Sequence, residues 1–145
     1  MAQAAAYFDS SVLLKRYVRE SGSDTALGLT RSHLIVSAAI APLEMRSALR
    51  RIHEEGSLTI KALQVSLKRT ESDRDWWDLV VISGEVLQAA ERLTVDLNVR
   101  SLDSIHLACA LVFQSQVKRR LEFITADARQ KEAAQKLGLA TVFVE

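Results

Sequence analysis

Four carboxylates in this chain are set apart by where they fall. Asp9, Glu44, Asp103 and Asp127 each lie where an apolar strand ends, or where a hydrophobic helix begins or turns. Parallel strands bring their carboxyl ends to one edge of a sheet, and ligands of open α/β sheets bind there. Carboxylates gathered at that edge repel one another unless a cation holds them together. Ligation by oxygen alone suits Mg²⁺ or Mn²⁺, and a bound divalent ion activates water for phosphodiester hydrolysis. Taken singly, three of these acids have ordinary uses. Asp9 is placed to cap a first helix, Asp103 to complement the dipole of a helix beginning near Ser101, and Asp127 with Gln130 has the form of a capping box. Glu44 is neither a cap nor cleanly on a polar helix face. Caps alone leave unexplained why three such acids fall at positions that one sheet edge would share.

The elements that must position these acids are read from periodicity. Ala5 to Phe8 is a short apolar run closed by Asp9-Ser10-Ser11, a strand running into a helix cap. Val12, Leu13, Leu14, Tyr17 and Val18 follow at helical spacing, and Ser21-Gly22-Ser23-Asp24 breaks that helix and caps the next, which runs to about Arg31. Leu34 to Val36 reads as a second strand. A long helix is expected from Ala38 to Glu55, stopped by Gly56, with Glu44, Ser47 and Arg51 along its margin. Thr59 to about Asp75 is another amphipathic helix, Leu79 to Ile82 a third strand, and Gly84 to Leu97 a helix. From Ser101 the chain is apolar on nearly every side, as in a helix buried by several neighbours. Leu121 to Thr125 and Thr141 to Val144 complete the strands, separated by a helix from Ala128 to Leu137. Strands alternating with helices imply an α/β fold, a parallel sheet with helices on both faces.

At 145 residues and 48% hydrophobic content, with one proline and five glycines, the chain fits one globular domain over 1–145 with a core of its own. Cys109, the single cysteine, lies in the apolar run Ile105 to Phe113 and reads as a buried core thiol. A chain that forms no internal disulfide suits a reducing cytoplasm. The first residues lack the basic region of a signal peptide, and no run reaches the length of a membrane span. A net charge of +1 gives no global argument for nucleic acid. Local basic clusters, Lys15-Arg16 with Arg19, Arg46 with Arg50-Arg51, and Lys118-Arg119-Arg120, each read first as a solvated helix face.

Tyr7-Phe8-Asp9-Ser10-Ser11-Val12-Leu13-Leu14-Lys15-Arg16-Tyr17 resembles the opening of PIN-domain ribonucleases, especially the VapC toxins of bacterial toxin–antitoxin pairs. Leu43-Glu44 before Ala48-Leu49-Arg50-Arg51, then Asp103-Ser104-Ile105-His106-Leu107-Ala108, and Ile124-Thr125-Ala126-Asp127 resemble the later motifs of that family in order and spacing. The resemblance covers essentially the whole chain. It implies a three-layer fold with a five-stranded parallel sheet, and an endoribonuclease dependent on Mg²⁺ or Mn²⁺. Asp9, Glu44, Asp103 and Asp127 match the acidic residues of the family, Ser11 a small polar residue near the metal, and Thr125 the hydroxyl residue before the last acid. Arg129 stands where many relatives carry a further acid. The resemblance also implies a small antitoxin that covers the active site, and toxin dimerisation.

Within that frame Asp9 and Asp103 are the expected direct metal ligands, Asp127 binds directly or through water, and Glu44 orients or deprotonates the attacking water. Lys15, Arg46, Arg50 and Arg51 flank the site in sequence and are candidates for the RNA backbone. His106 reads as a supporting or core histidine, and Trp76-Trp77 as partly core. A receiver-type phosphoryl-transfer domain needs an acidic pair after the first strand, a haloacid-dehalogenase arrangement needs an aspartate where Ser11 stands, and a dinucleotide-binding domain needs a Gly-rich first turn. The remaining competitor is a non-catalytic RNA-binding or scaffold member of the same fold.

Overall fold

The computed structural model describes residues 3–145. Its strands are β1 (Ala5–Phe8), β2 (Leu34–Ala38), β3 (Asp78–Val80), β4 (Glu122–Thr125) and β5 (Ala140–Phe143). They form one parallel sheet in the order β3-β2-β1-β4-β5. The helices are α1 (Ser10–Leu14), α2 (Ser23–Ser32), α3 (Ala41–Glu54), α4 (Ile60–Asp73), α5 (Gly84–Asp96), α6 (Ser101–Val117) and α7 (Ala128–Lys136). Two cores flank the sheet because side chains of successive strand residues point to opposite faces. Tyr7, Val36 and Phe123 face α5, α6 and α7, whereas Ala6, Phe8, Ile35 and Ile124 face the layer of α1 to α4. Strand order reverses beside the central β1, the kind of switch point at which such sheets bind ligands. Among the described residues no helix is long and apolar enough to cross a membrane.

Of the boundaries that differ from the sequence expectation, three have a clear physical reason. Helix α1 ends at Leu14 and the chain continues in tight turns, with Tyr17 N–H donating to the Leu14 carbonyl at 2.9 Å. Tyr17 is drawn into the core against α4, where its hydroxyl donates to Asp73 at 2.7 Å and its carbonyl accepts from Ser66. Helix α3 starts at Ala41 rather than Ala38, since Ala38 pairs with Val80 in the sheet and Pro42 occupies the first helical turn, which tolerates a missing N–H. Strand β3 is shifted to Asp78–Val80 by its register against Val36 to Ala38. Trp77 is buried, but Trp76 is 87% exposed, so only one of the adjacent tryptophans joins the core.

Gly22 is required where it stands. Its φ is +82°, and a Cβ there would lie 2.0 Å from the backbone oxygen of Glu145, so the C-terminus packs directly against the cap of α2.

Candidate active site

Asp9 follows β1 and caps α1, accepting the Ser11 N–H at 3.1 Å. The cap is only part of its role. The Ser11 hydroxyl donates to Oδ1, and the Thr125 hydroxyl donates to Oδ2 at 2.6 Å from the end of β4. Ser11 Oγ in turn accepts the Ala126 N–H at 3.0 Å, and Thr125 Oγ1 accepts the Asp127 N–H at 3.0 Å. Two hydroxyls therefore lace the β1 and β4 ends together around one carboxylate. Asp9 is only 4% exposed. Burial pushes its carboxyl above the ordinary value, while the nearby His106 and the Ser11 and Thr125 hydroxyls pull it back.

Glu44 lies in the first turn of α3, on the opposite side of β1 in the sheet order from the β4 end. Its Oε1 is 2.6 Å from His106 Nε2, and His106 Nδ1 is 2.7 Å from the Tyr7 hydroxyl. His106 lies one helical turn after Asp103 on α6 and is 2% exposed. The contact joins the α3 layer to the α6 layer across the carboxyl edge. Tyr7 stacks on Phe123 at 5.3 Å and its phenol is pushed well above its ordinary pKa, chiefly by burial.

Asp103 lies in the first turn of α6 and Asp127 at the N-cap of α7. Asp127 caps α7 through Oδ1, which accepts the Arg129 and Gln130 N–H groups at 2.8 and 3.4 Å. The capping box is half formed. Gln130 does not reach back to its cap; its Nε2 donates to the Asp103 carbonyl at 3.1 Å, tying α7 to α6. Asp103 is pushed up by burial and then by the charge of Asp127, and Arg100, 3.5 Å away, pulls it down. Asp127 and Arg100 thus bias the same carboxyl in opposite directions.

All of the predicted acids and both predicted hydroxyl residues meet in this connected arrangement. Tyr7, His106 and Gln130 join them; the sequence marked Gln130 only as a capping-box partner of Asp127 and Tyr7 only as part of the first strand and its motif. His106 carried a signal, its spacing of three from Asp103, which is one face of a helix. The basic candidates separate. Arg51 lines an open cleft of about 600 Å³ with Ser10, Ser11, Leu14, Glu44 and Leu102. Lys15 is held by the Ser21 carbonyl at 2.6 Å and by Glu20 at 3.3 Å, Arg50 pairs with Glu54, and Arg46 lines a different groove against α4. On the other side of Asp103, a second pocket of about 310 Å³ is lined by Arg100, Arg129 and Lys136.

Among the described residues, no three Asp, Glu, His or Cys side chains converge as a ready-made metal cage. The donor set nevertheless fits a hydrated Mg²⁺ or Mn²⁺. Such an ion takes one or two carboxylates and keeps several waters. Asp103 carries excess negative field from Asp127, and Gln130 Oε1 is a buried oxygen with no hydrogen-bond partner in the same corner. Cys109 takes no part: it is buried in the α6 core, and burial pushes its thiol up to about 12.

The family model described as "PIN domain" matches residues 6–136. Ribonuclease VapC46 of Mycobacterium tuberculosis is 34% identical over 140 residues, covering 96% of this chain and 97% of that protein. Ribonuclease VapC35 of the same organism is 30% identical over 139 residues, covering 94% of each. Among solved structures, a toxin–antitoxin complex from Klebsiella pneumoniae aligns with a TM-score of 0.65 at 19% identity, over 95% of this chain and 96% of that one. The VapBC-5 toxin–antitoxin structure from Mycobacterium tuberculosis aligns with a TM-score of 0.57, also at 19% identity, over 98% of each chain. At that identity the structural matches establish the shared fold.

Proposed function

Because this chain belongs to the PIN-domain family, as a relative of the VapC ribonucleases, we propose that it is a divalent-metal-dependent endoribonuclease and the toxin of a toxin–antitoxin pair. The observation that carries this reading is the hydrogen-bonded lattice of Ser11 and Thr125 around Asp9, with Asp103 and Asp127 beside it at the same sheet edge. Three chain segments far apart in sequence converge there on oxygen donors.

In this reading Asp9 and Asp103 hold Mg²⁺ or Mn²⁺, with Asp127 contributing directly or through water. When bound, the ion supplies charge neutralisation at the scissile phosphate and lowers the pKa of water. Ser11 and Thr125 fix the rotamer of Asp9, so that its oxygens need no reorganisation during the reaction. Glu44 faces the cleft and accepts a proton from the attacking water as general base. Arg51 on one side, with Arg100 and Arg129 on the other, meets the flanking phosphates of a single strand. The cleft beside Glu44 is largely apolar in its walls and is bordered by Leu43, which is 70% exposed, and by Leu102. We assign that surface to the antitoxin. Toxin dimerisation belongs to the same reading, and sedimentation of the purified chain measures it.

The test is RNA cleavage by metal-stripped protein, measured on a panel of structured RNAs. Mg²⁺ or Mn²⁺ is expected to restore cleavage. Undiminished cleavage after chelation would sink the metal assignment.

A further inference from the structure

The Glu44 carboxylate has one protein partner among the hydrogen bonds of the described residues, and that partner is itself held. His106 Nε2 lies 2.6 Å from Glu44 Oε1, and the Tyr7 hydroxyl lies 2.7 Å from Nδ1 on the far side of the ring. A phenol is a proton donor at neutral pH, and an ionised carboxylate accepts only. For a neutral ring the self-consistent arrangement runs in one direction. The Tyr7 O–H donates to Nδ1, which leaves the ring proton on Nε2, and Nε2–H donates to Glu44. The ring has little freedom to turn, being almost fully buried and set edge-on to Tyr7 at a 76° interplanar angle.

Resting on the nuclease reading, we propose that His106 is a positioning residue for Glu44. The Tyr7 hydroxyl selects its Nε2–H tautomer, and that N–H pins Glu44 Oε1 so that the other carboxylate oxygen addresses the cleft. Because the Glu44 side chain is partly exposed on a helix margin, without this anchor it samples several rotamers. The same contact locks the α3 and α6 layers together at the point where the reaction takes place. A histidine serving only as packing would need neither a defined tautomer nor an acidic partner.

The distinction is testable with paired substitutions. The amide nitrogen of glutamine reaches the place of Nε2, whereas that of asparagine falls near Nδ1. His106→Asn is expected to lower kcat by roughly 10–100-fold with KM little changed, as for loss of a group that orients a reacting carboxylate. His106→Gln is expected to recover most of that loss. Nitrogen-15 NMR of the ring in the wild-type chain should show protonated Nε2 and bare Nδ1, and Tyr7→Phe, which keeps the stacked ring, should abolish this preference and lower kcat. Wild-type kcat in folded His106→Asn, equal loss in both His106 variants, or a ring protonated at Nδ1 alone would overturn the proposal. The ring signature needs no RNA. A wild-type chain with the Nε2–H signature that cleaves no RNA overturns the nuclease reading, whereas the Tyr7–His106–Glu44 hydrogen-bond arrangement stands.

Discussion

The two sides of the candidate site are built on different principles. Around Asp9 and Glu44 the carboxylates are held by side-chain donors of Ser11, Thr125 and His106, and Asp9 and His106 are buried. Around Asp103 and Asp127 the carboxylates bear on each other and lie beside arginines with exposed side chains. The first side fixes geometry. The second sets charge beside exposed cationic side chains. A hydrolase acting on a polyanion needs both, since preorganised groups lower the barrier and charged ones bind ion and substrate.

Asp103→Asn should give the largest effect, because it removes a charged oxygen from the second side. RNA cleavage should fall by roughly 10³-fold or more, while the metal-free protein melts at an equal or higher temperature, as burial and Asp127 already disfavour the charge. Lost activity together with a lower melting temperature would mean that Asp103 serves the fold instead. Thr125→Val breaks the locked side, removing a donor to Asp9 and an acceptor for the Asp127 N–H. A fall in kcat of about 10–100-fold is expected, with about 1–3 kcal/mol lost in denaturant titration.

The same contrast has a pH signature. Asp9 and Asp103 have raised folded values, so folding favours their protonated forms. In metal-free protein their contribution to stability is present below the ordinary carboxylate range and is lost as pH rises through the raised folded values. A divalent ion needs the ionised carboxylates. Stabilisation by Mg²⁺ in thermal melts should therefore grow with pH across that window, and a pH-independent increment would contradict ion binding at these acids. Arg129→Ala sharpens the second side more gently. KM for RNA should rise about 3–10-fold at unchanged kcat, with the salt-dependence slope reduced by about one. Smallest of all, Trp76→Ala, at a pocket lined by the start of β2 and the residues before β3, should leave cleavage unchanged and shift stability by less than about 0.5 kcal/mol.

Much of the architecture was legible because it is written in short-range pattern. The apolar run Ala5 to Phe8 marks the first strand, and Asp9 and Asp127, read as caps, do accept backbone N–H groups at the starts of α1 and α7. The errors came where tertiary contact outweighed local preference, as when Tyr17 leaves a helical register to reach Asp73. The acids were visible for a similar reason, since the positions after β1 and β4 belong to the strand ends themselves.

By itself, then, the sequence determined which residues stand at the carboxyl edge and which chemistry their oxygens suit. Only the tertiary structure decided how they are held. Asp9 meets Thr125 across 116 positions of chain, Tyr7 meets His106 across 99, and His106 meets Glu44 across 62. Hydrogen bonds of that span depend on sheet order and on the packing of two helical layers. Local periodicity carries no record of either, whereas burial in a close-packed core leaves these side chains few other orientations.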